Sequence, residues 1–193
     1  LFALAMILKR NDIVDIAWGP GFLVVGAVSL VYTVQLHWRH LLILILVVLW
    51  AARLAIHIHL RNRGKSEDFR YAQWRRDWGK TWVLRSWLQV FMLQGFFMLT
   101  VSYPLLLQTG PQTRALLVSD LAGILVWALG FCFEAVGDEQ LRRFKKDPSN
   151  KGRIMDRGLW SLTRHPNYFG EATMWWGVFL IAMGAHNGLW AVF

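Results

Sequence analysis

Five apolar runs, each near the length needed to cross a bilayer, constrain this 193-residue chain more than any motif in it. Residues 13–36, 41–60, about 83–107 and 116–137 form four of them. The fifth begins near Tyr168 and is still apolar at Phe193. A hydrocarbon layer of roughly 30 Å takes about 20 helical residues to cross. The runs lack the strict alternation of barrel strands, so helices, which satisfy their own backbone, are expected. Composition agrees: 55% of residues are hydrophobic, with 12 Trp and 12 Phe, more apolar runs than a soluble domain of this length carries. Residues 1–8 read as the tail of a further span. With no starting Met and both ends apolar, the sequence reads as a piece of a longer protein, and no basic region marks a signal peptide. The expectation is an all-α transmembrane bundle, one membrane-embedded domain over 1–193, with five full spans and a partial N-terminal one.

Charge then orients the spans. Lys9 and Arg10 precede the first. The segment 61–80 carries seven basic residues and 138–167 carries eight, while the intervening short loops hold only Arg39 and Arg114. Threading five spans in order puts 17 basic residues on one side and two on the other. The positive-inside rule makes the rich side cytoplasmic. The net charge of +9 therefore needs no nucleic acid; it reflects topology and attraction to anionic lipid head groups. The lone Cys132 permits no disulfide and no cysteine-based zinc site within the chain.

Ionisable residues at membrane depth are costly and point to function. Arg53, His57 and Arg61 recur every four residues on one helical face, with Trp50 three before Arg53. Arg61 can snorkel to the interface; Arg53, about two turns deeper, suits a bundle interior. Glu134, Asp138 and Arg142 form a second ladder, in which Asp138 with Arg142 is the spacing of a helix ion pair. Glu134 is deeper and needs a proton, a cation or a wet cavity. Asp12 stands where an N-cap belongs, with Asp15 one turn further in. Gly19-Pro20-Gly21, after Trp18, is expected to kink or break the helix. His57 and His59 face different ways, so no metal site is expected.

The segment 151–171 mixes glycine, arginine and aromatic residues where a basic loop becomes apolar. Arginines and a helix start suit a phosphate, and Tyr168, Trp160 or His165 can stack on a flat ring. Within it, Arg153-Ile154, Gly158-Leu159-Trp160 and Arg164-His165-Pro166-Asn167-Tyr168-Phe169-Gly170-Glu171 resemble the C-terminal signature of the steroid 5α-reductase family. The bacterial branch of that family, similar to sterol C14-reductases, is also matched by Asp12-Ile13-Val14-Asp15-Ile16-Ala17-Trp18-Gly19 and by Leu60-Arg61-Asn62-Arg63-Gly64-Lys65. The isoprenylcysteine carboxyl methyltransferases share Arg-His-Pro-x-Tyr but bind S-adenosylmethionine.

The resemblance implies a bundle holding NADPH on its cytoplasmic side, in a bacterial inner membrane, and taking a steroid- or isoprenoid-like lipid from the bilayer. It implies cofactor contacts at Arg53, Arg63, Lys65, Asp138, Arg153, Arg164, Asn167, Tyr168 and Glu171. Trp18, Trp50, His57 and Glu134 are the implied substrate pocket. The implied reaction adds hydride to the C=C of an α,β-unsaturated carbonyl, with Asp15 and Glu171 as catalytic residues. Where the steroid reductases place a tyrosine, this chain has Trp50; Asp15, standing for their glutamate, is expected to donate to the substrate oxygen. The alternatives are methyl transfer from S-adenosylmethionine and a non-catalytic lipid- or sterol-binding role.

Overall fold

A computed structural model describes residues 1–33, 35–110 and 113–185. Of the described residues 79% are helical and none lies in a strand. Among the described residues, three helices are long and apolar enough to cross a membrane: α2 (Ile13–Tyr32), α3 (Trp38–Asn62) and α8 (Val118–Lys146). The chain divides into two compact units, Leu1–Thr109 and Gly110–Phe193.

In the first unit, a short α1 (Phe2–Leu8) leads into α2, and α2 and α3 form an antiparallel pair. Pro20 does not break α2, contrary to expectation: the helix runs unbroken from Ile13 to Tyr32. A proline costs a helix one hydrogen bond and crowds one carbonyl. Here the close approach of α3 accompanies that loss: a Cβ on Gly19 would lie 2.9 Å from the Ala51 carbonyl oxygen. Trp18, Phe22 and Trp50 continue the contact edge to face, with centroids 5.3 and 5.2 Å apart. At the far end, Ser29 Oγ and Thr33 Oγ1 lie 2.9 and 3.1 Å from the two ring nitrogens of the buried His40. Polar side chains at this depth are thus spent on each other.

The segment 61–80, read from sequence as a basic loop, contains α4 (Phe69–Trp78). Asp68 caps it, accepting from the Arg70 N–H at 3.0 Å. The preceding residues are clipped to the α1–α2 junction. Glu67 accepts from the Asn11 N–H at 2.7 Å and from Arg75 at 2.6 Å, and Asp12 accepts from the Asp68 N–H at 3.2 Å. Asp12 does sit at the N-cap of α2, but its carboxylate serves Asp68 and Arg10 rather than its own helix.

The third expected span is not one regular helix. It consists of α5 (Trp82–Arg85), a π-helical stretch (Ser86–Met92), α6 (Leu93–Val101) and α7 (Tyr103–Leu107). The wider π turn brings Ser86, Val90 and Phe91 all inward. Ser86 receives the Asn11 side-chain N–H at 2.8 Å, and Val90 and Phe91 join Ala5, Val14 and Tyr71 in one core.

The second unit is built on α8 and α9 (Pro166–Ala182). At 29 residues, α8 is about 44 Å long, more than a hydrocarbon layer needs. Arg142, Arg143, Lys145 and Lys146 therefore extend the helix rather than occupy a loop. Its start is capped by Asp120, which accepts from the Leu117 N–H at 2.7 Å. Glycines spaced by seven on α8 meet α9 in antiparallel order: Gly123 faces Gly177, Gly130 faces Gly170, and Gly137 faces Pro166 and Asn167. Small residues let membrane helices approach to backbone contact. The described part of α9 has 17 residues; the expected run through Phe193 continues over 186–193, outside the described residues, as does Val34 of the first expected span.

Candidate functional site

The second unit brings several of the residues singled out from sequence together, whereas in the first unit Asp15 alone joins a cluster. In the second unit, the segment between α8 and α9 folds back on the last third of α8. Trp160 donates its indole N–H to the Gly137 carbonyl at 3.0 Å, and the Leu159 N–H donates to Gln140 at 3.0 Å. This brings Asp138 and Asn167 together: the Asn167 side-chain N–H donates to the Asp138 carboxylate at 3.3 Å. The Asp138–Arg142 pair expected from spacing does not form. Asp138 is buried toward α9, whereas Arg142 turns outward to Glu139 at 2.6 Å, which also takes Arg143. Asn167 Oδ1 is shielded from solvent and has no hydrogen-bond partner among the described residues. A buried amide acceptor left open is costly and suits a ligand N–H.

Above this floor, His165 and Tyr168 stack with centroids 5.2 Å apart and planes 2° from parallel, both exposed. Trp160 tilts toward His165 at 6.5 Å. The result is an aromatic ledge at the start of α9, where the first backbone N–H groups lack helical partners. Arg153 and Arg164 are exposed on the same segment, without ion pairs among the described residues. Glu171 is half-buried one turn into α9, next to Gly170, which packs on the backbone of the buried Glu134.

In the first unit, Asp15 meets a residue the sequence reading passed over. The Tyr71 hydroxyl donates to Asp15 Oδ1 at 2.7 Å, and Arg70 lies 3.9 Å from the other oxygen. Between the two side chains the phenol is the donor and Asp15 the acceptor. Tyr71 is 5% exposed. Burial first, and then the charge of Asp15 and the hydrogen bond to it, push the phenol above its ordinary value, against a smaller opposite effect of its bond with Gln94. The folded state thus favours the protonated phenol. Its contribution to stability is complete below about pH 10, the unfolded value, and is lost as pH rises through the folded one. Alkaline spectrophotometric titration is expected to show one late-ionising tyrosine that disappears in Tyr71→Phe. Equal titration curves for the two proteins would refute the assignment.

The remaining candidates of the first unit do not join Asp15 through any hydrogen bond or ion pair described here. Trp50 is buried, 2% exposed, and packs edge to face on Phe22. Trp18 is partly buried beside Phe22. Arg53 and His57 are half-buried along α3. Arg63 and Lys65 are exposed beyond its end, where the Lys65 carbonyl accepts from Arg10 at 3.2 Å.

Fold and clusters together define a helical membrane protein with a polar, aromatic-edged helix junction and a carboxylate paired with a buried phenol. The chain belongs to the DUF1295 family, described as a protein of unknown function, whose match covers residues 1–193. A similar protein is the probable O-methyltransferase ustE of Ustilaginoidea virens, 40% identical over 62 residues. That stretch is 32% of this chain and 22% of the relative's length. No solved structure matches the chain.

Proposed function

We propose that this chain is an NADPH-dependent membrane reductase that saturates the C=C of an α,β-unsaturated carbonyl in a steroid- or isoprenoid-like lipid. The observation that carries the reading is the Asp15–Tyr71 hydrogen bond. A buried phenol, held by a carboxylate and kept protonated, is the group needed to polarise a ketone oxygen. NADPH, when bound, supplies the hydride. As the β-carbon is reduced, negative charge moves onto the carbonyl oxygen, where the Tyr71 O–H, turned from Asp15 to that oxygen, stabilises it; the α-carbon then takes a proton from solvent. Asp15 orients the phenol and limits its loss of a proton.

The second unit fits the cofactor. Asn167 Oδ1 offers an open acceptor to a carboxamide N–H, and Asp138 fixes the amide's orientation. The His165–Tyr168 ledge offers a stacking face, and Arg153 and Arg164 offer charge to phosphates. In the same reading Glu171, on α9, is a further cofactor contact.

The reading also gives the chain five crossings, with 82–107 as the third and α9 opening the fifth. The basic segments 61–80 and 138–167 then face the cytoplasm of a bacterial cell. Support comes from the nearly continuous helical run over 82–107 and from the charge asymmetry.

The test is reduction of a panel of enone lipids by the full-length protein in detergent. One NADPH oxidised per product, with deuterium from labelled cofactor at the β-carbon, is the expected outcome. A second reading, methyl transfer from S-adenosylmethionine to a lipid oxygen, is favoured by the similarity to a probable O-methyltransferase. A methylated product with no use of NADPH would select it.

A further inference from the structure

The elbow between α4 and α5 has a surface that neither cluster uses. Arg70 and Arg75 are spent on Asp68 and Glu67. Arg76, Lys80 and Arg85 are exposed and make no ion pair among the described residues; Asp77 is the one exposed carboxylate beside them. Trp74 and Trp78 stack with centroids 5.6 Å apart, and the Arg75 guanidinium lies 5.0 Å over the Trp82 ring. Directly after Trp82 the surface turns apolar and stays exposed: Leu84 is 58%, Leu88 47% and Phe96 63% exposed. Free cations and tryptophans thus interleave over 74–85 and give way to uncovered hydrocarbon beyond Arg85, as on passing from head groups into lipid.

We propose that α4 and the turn after it lie in the head-group layer, and that Arg76, Lys80 and Arg85 bind the phosphates of anionic phospholipids. The occupant is the bilayer itself, chosen by charge complementarity and by continuity with the exposed apolar run. A soluble phosphate would explain the cations but not the tryptophans or the hydrocarbon surface beyond them. The proposal is independent of what reaction the protein catalyses.

The test places full-length protein in nanodiscs of phosphatidylcholine alone or mixed with phosphatidylglycerol, and reads retained lipids by native mass spectrometry. Wild type is expected to retain phosphatidylglycerol selectively, with selectivity falling as salt rises. Neutralising one cation near the surface is expected to cost about fivefold, so Arg76→Gln/Lys80→Gln/Arg85→Gln together lose about 100-fold. Lys145→Gln/Lys146→Gln, on another element, keeps the wild-type selectivity. Should the triple variant fail to fold, the single variants carry the comparison at fivefold each. Equal retention of the two lipids by wild type, or unchanged selectivity in the variants, would overturn the proposal. So would loss of selectivity on adding inorganic phosphate at constant ionic strength.

Discussion

Gly170→Ala is expected to destabilise the second unit by about 3 kcal/mol, the upper end of the usual cost of overpacking. A Cβ there would lie 2.5 Å from the Glu134 backbone nitrogen and 2.5 Å from the Gly130 carbonyl oxygen. Both obstacles are backbone, so no rotamer change relieves them, and α8 and α9 must separate along their length. The Asp138–Asn167 contact sits one turn away and should loosen with it. Gly95→Ala is the control: no atom lies within 4 Å of the added methyl, and an interior helical glycine gains about 1 kcal/mol on becoming alanine. Thermal or denaturant unfolding in detergent separates the two. Equal stability of Gly170→Ala and wild type would mean that the glycine seam is not the packed interface described.

The second large effect is kinetic. Tyr71→Phe removes the proposed hydrogen-bond donor to the substrate oxygen while keeping the ring in the core, and turnover on an enone lipid is expected to fall about 100-fold or more. Asp15→Asn leaves a hydrogen-bond acceptor for the phenol but removes the charge, and a smaller loss is expected. Neither change should weaken NADPH binding, because the proposed cofactor contacts lie on other residues. A fall in kcat at constant cofactor affinity is thus the signature. Unchanged turnover in Tyr71→Phe would remove the phenol from the chemistry.

Much of this fold was legible in the chain. Run length and hydropathy mark α2, α3 and α8. What resisted reading has physical causes. Pro20 signals a break only if nothing nearby offsets the lost bond, and Gly19 against Ala51 is tertiary information. The segment 61–80 looked like a solvated basic loop because its charges dominate. Yet Tyr71, Trp74 and Trp78 recur at helical spacing, and Asp68 ahead of them is a capping signal. That pattern could have exposed α4 and with it the partner of Asp15. The glycines at 123, 130 and 137 were also readable as a seam with period seven. By contrast, Asp138 pointing to Asn167 instead of Arg142 depends on which way α8 faces α9, and spacing within one helix does not decide that.

The central claim is that the junction of α8 and α9 holds a reduced dinucleotide. The most direct measurement is NADPH binding to the full-length protein in detergent, followed by energy transfer from its tryptophans, with S-adenosylmethionine as competitor. Saturable NADPH binding, weakened in both Asn167→Ala and Glu171→Gln and indifferent to S-adenosylmethionine, is the predicted result. Tight S-adenosylmethionine binding with no NADPH signal would contradict the claim and assign the same junction to methyl transfer.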